Sequence, residues 1–320
     1  MSQPANRAAH PAGGSERGFS LIETLVSLTL LLVVSAGMME AMLQFSRTQS
    51  TVFNRSAMHN GVRSATELLQ QEVGQAGHVT LPGPGPVTLQ NAVAAGANWV
   101  AVSSTTGMFV GEQVDVGTGV LMETVTIEQI TTGNVFATFL NAHPAAAPVA
   151  VRGGFASGVV PLSPGFLNGS TGYLLKLYGD INDDGQMVYI EYKCDIDAGI
   201  LYRNVIDNAV VTGTTPTKPA PGPTQILLDN LTDPDSGRVP CFTYQQKSVG
   251  AITFVTNVAI SLTTQTQFRD RVTRQFQKET KSLLNVAPRN VFDAWLLASM
   301  GAFTRIQPMP PSIRSLLPTP

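Results

Sequence analysis

One run of oxygen-bearing side chains has a spacing that could bind a hard cation. Residues 180–185 read DINDDG, and Glu191 closes the pattern. Oxygen ligands on alternate residues, Asp180, Asn182 and Asp184, can surround a calcium ion. An EF-hand needs flanking helices, however, and both flanks here have strand character. Because Asn, Asp and Gly are also the usual residues of hairpin loops, two alternatives stay open: a bare hairpin and a partial calcium site.

The other side chains with reactive chemistry are two cysteines, Cys194 and Cys241, and neither belongs to a CxxC motif. In an oxidising compartment they can form one disulfide, whereas in the cytosol they would stay thiols. The four histidines are scattered, so a zinc site is not expected. No G-x-S-x-G, P-loop or H-E-x-x-H motif occurs. The sequence therefore predicts no enzyme activity and no cofactor beyond the calcium alternative.

The composition argues against a soluble cytosolic enzyme. Charged residues make up 13% of the chain and hydrophobic residues 43%, with 29 glycines and 21 prolines. Few charges together with many Gly and Pro residues are typical of a loop-rich, β-rich secreted protein. The net charge of −2 provides no overall positive field, so nucleic acid is not an expected partner.

An apolar segment follows the polar N-terminus. Residues 19–39 read FSLIETLVSLTLLLVVSAGMM, and Glu23 is their one charged residue. About 20 apolar residues are enough for a helix to span a bilayer core. A cleaved secretory signal fits poorly, because the run is too long and the residues after it continue a helical pattern. An uncleaved signal anchor is a second alternative. A carboxylate inside a membrane helix is costly, which marks Glu23 as a functional candidate.

The residues around Glu23 form a recognisable motif. Residues 17–23, RGFSLIE, resemble the class III signal of type IV prepilins. The resemblance implies that a prepilin peptidase cuts on the cytoplasmic side after Gly18 and N-methylates Phe19. It also implies that Glu23 pairs with the α-amino group of Phe19 in a neighbouring subunit. Residues 1–18 would then be the leader peptide.

The helical pattern continues beyond the apolar segment. We assign residues 19–42 to a transmembrane half and residues 43–77 to an amphipathic half of one long helix, which Gly77 is expected to stop. The end of this stretch, LLQQEVGQAG, resembles the same region of PilW-like minor pilins and GspJ-like pseudopilins.

Two β-rich regions follow a Pro/Gly linker. Residues 98–152 have a strand pattern of their own and are expected to form a small inserted β module. Its five charged residues give a net charge of −3, so its partner would be a protein or glycan surface. Residues 153–290 predict an antiparallel head sheet, on which the long helix packs. The predicted fold is the α+β pilin fold with an inserted module.

The C-terminal segment, residues 291–320, has no counterpart in the resemblance. Residues 291–303 are apolar but too short to span a membrane, so we expect a helix docked on the head. The Pro-rich residues 308–320 are expected to be disordered or polyproline-like.

The resemblance as a whole implies a minor type IV pilin, a structural subunit of a pilus. Its expected partners are prepilin peptidase and other major and minor pilins. It would be anchored in the inner membrane with a periplasmic head, where a Cys194–Cys241 disulfide can form. Two alternatives stay open: a pseudopilin of a type II secretion system, and a periplasmic enzyme or binding protein held by an uncleaved anchor.

Overall fold

The computed structural model of the chain describes residues 20–81, 85–162, 169–207, 225–271, 273–310 and 313. The predicted cleavage residues Gly18 and Phe19 therefore lie outside the described residues. The chain divides into two compact units, Met1–Phe53 and Asn54–Pro320.

The first helix, α1, spans Leu21–Gln75 and belongs to both units. In the first unit every described residue from Ser20 to Ser50 is exposed. Among the described residues, α1 is the one helix that is long and apolar enough to cross a membrane. No proline interrupts it, and leucine and methionine favour the helical state. A helix that could span a membrane is therefore present where the sequence predicted one.

The second unit contains a six-stranded antiparallel sheet. Its strands follow one another as β1 (Val87–Thr88), β2 (Gly96–Ala101), β3 (Gln113–Val116), β4 (Glu123–Thr131), β5 (Asn134–Phe139) and β6 (Pro148–Val151), with a 3₁₀ turn at Gly119–Leu121. The spatial order is β1-β6-β3-β4-β5-β2. Alternate residues such as Val125 and Ile127 face a core that this sheet builds by itself. The sheet begins at Val87, so the boundary expected at residue 98 falls inside β2.

The head contains two further antiparallel sheets, where the sequence suggested one. After the short strand β7 (Gly154–Phe155), which belongs to neither sheet, their strands are β8 (Leu174–Gly179), β9 (Val188–Asp195), β10 (Ile200–Asp207), β11 (Gln225–Leu228), β12 (Phe242–Val249), β13 (Ile252–Gln265) and β14 (Lys278–Val286). One sheet has the order β11-β10-β9-β8 and the other β12-β13-β14. Both sheets contribute to one apolar cluster with α1. The α+β fold, with a helix packed on an antiparallel head, is confirmed.

The head-facing side of α1 explains this packing. Val62, Ala65, Leu69 and Val73 recur at a spacing of three or four residues, and all are at most 1% exposed. The helix ends at Gln75, and Gly77 follows in the left-handed region with φ +88°.

Glu72 lies on this buried side although it is charged, and it is 3% exposed. Its carboxylate accepts hydrogen bonds from the Tyr192 hydroxyl of β9 and from the Arg203 guanidinium of β10, whose Nε lies 3.1 Å from Oε1. A buried carboxylate needs such partners because losing water costs several kcal/mol. The Glu72 cluster (Glu72, Tyr192 and Arg203) therefore fixes the register of α1 on the sheet.

The C-terminal segment packs back onto the head. Helix α2 spans Arg289–Ser299 and buries Val291, Ala294 and Ala298, as expected for a docked helix. After a 3₁₀ turn at Phe303–Arg305, β15 (Ile306–Gln307) pairs in parallel with β7. The Gln307 side chain holds β3, because its Nε2 donates to Gln113 O at 2.6 Å and its Oε1 accepts from Gln113 N at 2.9 Å.

Residues 308–320, expected to be disordered or polyproline-like, include side chains that the structure buries. Met309 is 7% exposed and Ile313 is 0% exposed. Both join the apolar cluster of Phe155 and Tyr178. Apolar side chains between the prolines have a buried surface to occupy, which outweighs the lack of regular structure.

Cys194 and Cys241 connect the two head sheets. Cys194 lies in β9, and Cys241 immediately precedes β12. Their Cα atoms are 6.5 Å apart, and the structure joins their sulfur atoms. The bridge lies beside Phe242 in the same cluster that packs against α1.

We predict that Glu72→Ala destabilises the head by about 3–5 kcal/mol, because it leaves the Arg203 guanidinium partly buried without its carboxylate. Denaturant unfolding of the detergent-solubilised chain, followed by circular dichroism, measures this. Glu67→Ala on the same helix is the matched control, since the Glu67–Arg63 pair is exposed and its loss should change stability little. An equal effect of the two substitutions would contradict the role of the Glu72 cluster.

We predict that the disulfide forms in the protein purified from an oxidising compartment. Denatured but unreduced chain should take up no alkylating reagent, and reduced chain should take up two equivalents, as measured by intact mass. Reduction should lower the free energy of unfolding by about 2–4 kcal/mol in the usual loop-closure account. Two alkyl groups on unreduced chain would refute the bridge.

Glu112 provides a pH-dependent prediction. It is 0% exposed, Phe109 N donates to its Oε2 at 3.2 Å, and its Oε1 has no hydrogen-bond partner in the described part of the chain. Burial raises the pKa of Glu112 from 4.5 to about 8, against a smaller lowering by the Phe109 hydrogen bond. Because the folded-state pKa is the higher one, stability should fall as pH rises from about 4.5 to about 8.

Glu112→Gln should remove this loss, which reaches at most about 1.4 kcal/mol per pH unit. The free energy of unfolding of the variant, relative to that of the wild type, should therefore increase as the pH rises from about 5 to about 8, as measured by urea unfolding. Glu128→Gln, an exposed carboxylate on the same sheet, should leave the pH slope unchanged. Parallel slopes for wild type and Glu112→Gln would show that Glu112 is ionised in the folded chain.

Candidate functional site

The candidate site is the start of α1. Glu23 lies in the first helical turn, and its side chain is exposed together with the surrounding apolar residues. Thr24 anchors this turn, since its N and Oγ1 donate to Ser20 O at 3.0 and 3.1 Å. The helix N-terminus carries a partial positive charge, which favours a carboxylate at this point.

Among the described residues, no cationic side chain pairs with Glu23, since each ion pair of α1 joins other residues: His59–Glu279, Arg63–Glu67 and Glu72–Arg203. A carboxylate at the head of a lipid-facing helix is stable only with water or with a partner charge. The exposed carboxylate of Glu23 is a group that can bind a cation.

The run 180–185 forms the hairpin loop between β8 and β9. Asp180 is 2% exposed, and its Oδ1 and Oδ2 accept hydrogen bonds from Asp184 N at 3.1 Å and Gly185 N at 3.0 Å. Asp184 Oδ1 accepts from Gln186 N at 2.9 Å. The loop's own backbone thus uses the carboxylates of Asp180 and Asp184, which the calcium alternative would require as ligands.

The ligand groups that come together here differ from the predicted set. His78, Asp180 and Asp183 have ligand atoms within 4.8 Å of one another, whereas the carboxylate of Asp184 is not part of this group. Glu191 lies in β9 and accepts a hydrogen bond from the Tyr189 hydroxyl at 2.7 Å. His78 is distant in sequence, so spacing alone could not find it. Calcium binding at Asp180, Asn182 and Asp184 stays a prediction.

Sequence reasoning missed the other polar groups that the fold buries. The signal for Glu72 was available, because it lies three residues after Leu69 on the apolar side of α1. The pair Glu123–His143 was not foreseeable, since it depends on the pairing of distant strands. Burial tends to raise the pKa of Glu123, but hydrogen bonds from Asn141, His143 and Leu140 outweigh it and hold that pKa below its usual range.

A comparison with protein-family models matches residues 14–39 to the prokaryotic N-terminal methylation motif. No curated protein and no solved structure matches the chain. The matched segment contains Gly18, Phe19 and Glu23 and ends within α1. The chain carries a prepilin-type signal on a membrane-anchoring helix, which supports a type IV pilin or pseudopilin-like protein that prepilin peptidase processes.

Proposed function

We propose that this chain is a minor type IV pilin of the PilW kind, a structural subunit that assembles with other pilins rather than an enzyme. One observation carries the proposal: the methylation motif at residues 14–39 coincides with the start of the apolar helix α1. Cleavage before such a helix leaves the membrane anchor on the mature protein, which an ordinary signal peptidase would remove.

In this proposal the peptidase cuts after Gly18 on the cytoplasmic side and methylates the new amino group of Phe19. The mature chain is stored in the inner membrane through α1, with its head in the periplasm. An oxidising periplasm agrees with the Cys194–Cys241 bridge.

Glu23 is the assembly residue in the proposal. When helices of several subunits bundle, the carboxylate leaves water and requires a positive charge. The α-amino group of Phe19 on a neighbouring subunit supplies that charge. The pair forms only when the two helices are aligned so that Glu23 of one lies beside Phe19 of the other. A pseudopilin of a secretion system would use the same chemistry, so this step concerns assembly and not the kind of machine.

The six-stranded sheet favours a position near the filament tip. It has its own core of Val, Ile and Phe side chains and enlarges the head beyond what a tightly repeated shaft accommodates. Its outer side exposes Trp99, which pairs with Phe136 at 5.5 Å between ring centroids. We assign this sheet, including residues 98–152, the contact with a protein or glycan partner.

The test uses three variants expressed in the native host. Gly18→Leu should leave the precursor uncut, since the peptidase site loses its glycine. Glu23→Val should be cut and methylated but should enter sheared filaments at least tenfold less than wild type. Glu40→Val is the matched control, because it removes another carboxylate of α1 and should assemble normally. Intact mass measures processing, and quantitative immunoblotting of sheared filaments measures assembly.

Wild-type filament levels of Glu23→Val would refute the assembly role. Retention of Met1 in the purified wild-type chain would refute processing and favour the uncleaved anchor. Co-purification with a secretion system instead of pili would leave the proposed processing and Glu23 pairing intact. It would assign the chain to a pseudopilus rather than a pilus.

A further inference from the structure

The loop between β13 and β14, residues 266–277, concentrates positive charge and aromatic surface; we call it the arginine loop. Arg269, Arg271 and Arg274 are all exposed. Phe268 beside them is 65% exposed and Phe276 is 37% exposed. With Asp270 as its one carboxylate, the loop has a net charge of +2, although the whole chain has −2.

Asp270 faces into the loop and holds its shape. Its Oδ1 accepts from Thr273 N at 2.8 Å, and its Oδ2 accepts from Gln277 Nε2 at 3.3 Å. The backbone closes the turn, since Asp270 N donates to Gln275 O at 2.9 Å and Arg274 N donates to Asp270 O at 2.8 Å. Asp270 is 9% exposed, so the positive charges dominate the outer surface.

The arginines keep their charges available. Arg269 lies over the Phe276 ring with its Cζ 5.2 Å from the centroid, which orients the guanidinium without neutralising it. Neither Arg271 nor Arg274 belongs to any ion pair found between described residues.

The loop is attached to α1 at the beginning of the second unit. Asn54 Nδ2 donates to Phe268 O at 2.8 Å, Arg55 donates to the Gln277 side chain, and His59 contacts Glu279. Arg55 adds a fourth exposed cation, since its partner Gln277 is neutral.

Chain connectivity limits how far this loop can lie from the bilayer. Asn54 follows Met42, the last residue of the transmembrane half, by twelve residues. Twelve residues extend about 18 Å as helix and at most about 40 Å when fully extended. The loop is therefore held at high effective concentration near the membrane surface.

We propose that the arginine loop binds anionic phospholipid headgroups of the bilayer that anchors the chain. Arginine forks match phosphate geometry, and exposed aromatic side chains prefer the interface between headgroups and acyl chains. Each arginine near an anionic surface contributes roughly fivefold to the local equilibrium. The proposal requires that α1 spans the membrane and does not depend on pilus assembly.

The test places a reporter on the loop of the full-length protein. Phe268→Trp is reconstituted in nanodiscs that contain brominated acyl chains, with either neutral lipid alone or about one third phosphatidylglycerol. Val120→Trp is the matched control position, because Val120 is 99% exposed in the 3₁₀ turn between β3 and β4, outside the arginine loop. Fluorescence is compared with the parent chain to subtract Trp99 and Trp295.

We expect quenching of the Trp at position 268 in anionic discs that is at least threefold stronger than in neutral discs and that weakens at high salt. The Trp at position 120 should show no such difference. The triple change Arg269→Gln, Arg271→Gln and Arg274→Gln should bring the ratio of quenching in anionic discs to quenching in neutral discs down to about one. Removing three other exposed cations (Arg63→Gln, Lys193→Gln and Arg238→Gln) matches the charge change and should preserve it.

Circular dichroism and an intact Cys194–Cys241 bridge report whether the triple variant is folded. Phe268→Ser is a second variant, which keeps every charge but removes the exposed ring. It should reduce the protection of the loop's amides from hydrogen exchange in anionic discs. Equal quenching at position 268 in neutral and anionic discs would overturn the proposal. Equal loss in both charge-removal variants would also overturn it. Tight binding of duplex DNA that requires the three arginines, together with no quenching by lipid, would overturn the proposal and identify nucleic acid as the ligand of the arginine loop.

Discussion

The buried carboxylate of Glu72 is the constraint on which the arrangement of the second unit depends. It lies in the part of α1 that packs on the head, and its partners come from two adjacent strands, Tyr192 on β9 and Arg203 on β10. Apolar contacts alone would tolerate a helix displaced by one turn, because Val62, Ala65, Leu69 and Val73 repeat along the helix. A charged group that must meet both partners allows only one register. The helix that carries the processing signal is thereby fixed to a defined head.

A second constraint operates where α1 ends, and it explains how distant segments are held together. A Cβ atom on Gly158 would lie 2.2 Å from the Cα of Gly77, so this crossing requires glycine. Gly77 N donates to Tyr178 O, and Phe155 N donates to Gly77 O, each at 2.9 Å. The chain after α1, strand β8 and the segment after β7 thus meet at one backbone crossing. The C-terminal strand β15 pairs with β7 next to this crossing, and its Gln307 side chain donates a hydrogen bond to Gln113 O of β3. The six-stranded sheet is consequently attached to the head by hydrogen bonds of the Gln307 side chain of β15.

The long helix and the strand-rich head could be predicted because their signals are local. An apolar run without proline, a glycine at residue 77 and alternating Val125 and Ile127 each reflect physics within a few residues. The start of the six-stranded sheet could not be predicted, since β1 contains only Val87 and Thr88 and is defined by its pairing with β6. The division of the head into two sheets has the same origin in long-range pairing. The packing of residues 308–320 could not be predicted for another reason. Their prolines indicate irregular backbone, but they say nothing about whether Met309 and Ile313 find a buried surface.

Two glutamates of α1 solve one electrostatic problem in different ways, and the difference bears on assembly. Glu72 leaves water when the head folds, and the same chain supplies Arg203 and Tyr192 to compensate it. Glu23 lies in a segment apolar enough to enter a membrane, yet the described residues contain no hydrogen-bond or ion-pair partner for its side chain. A membrane cannot solvate that carboxylate, and the folded head is already satisfied without it. In the proposed function, the compensation for Glu23 comes from a neighbouring subunit. The amino group that the proposed cleavage before Phe19 would create has the opposite charge and lies four residues before Glu23 in the sequence, so processing and assembly form one chemical argument in the proposed function.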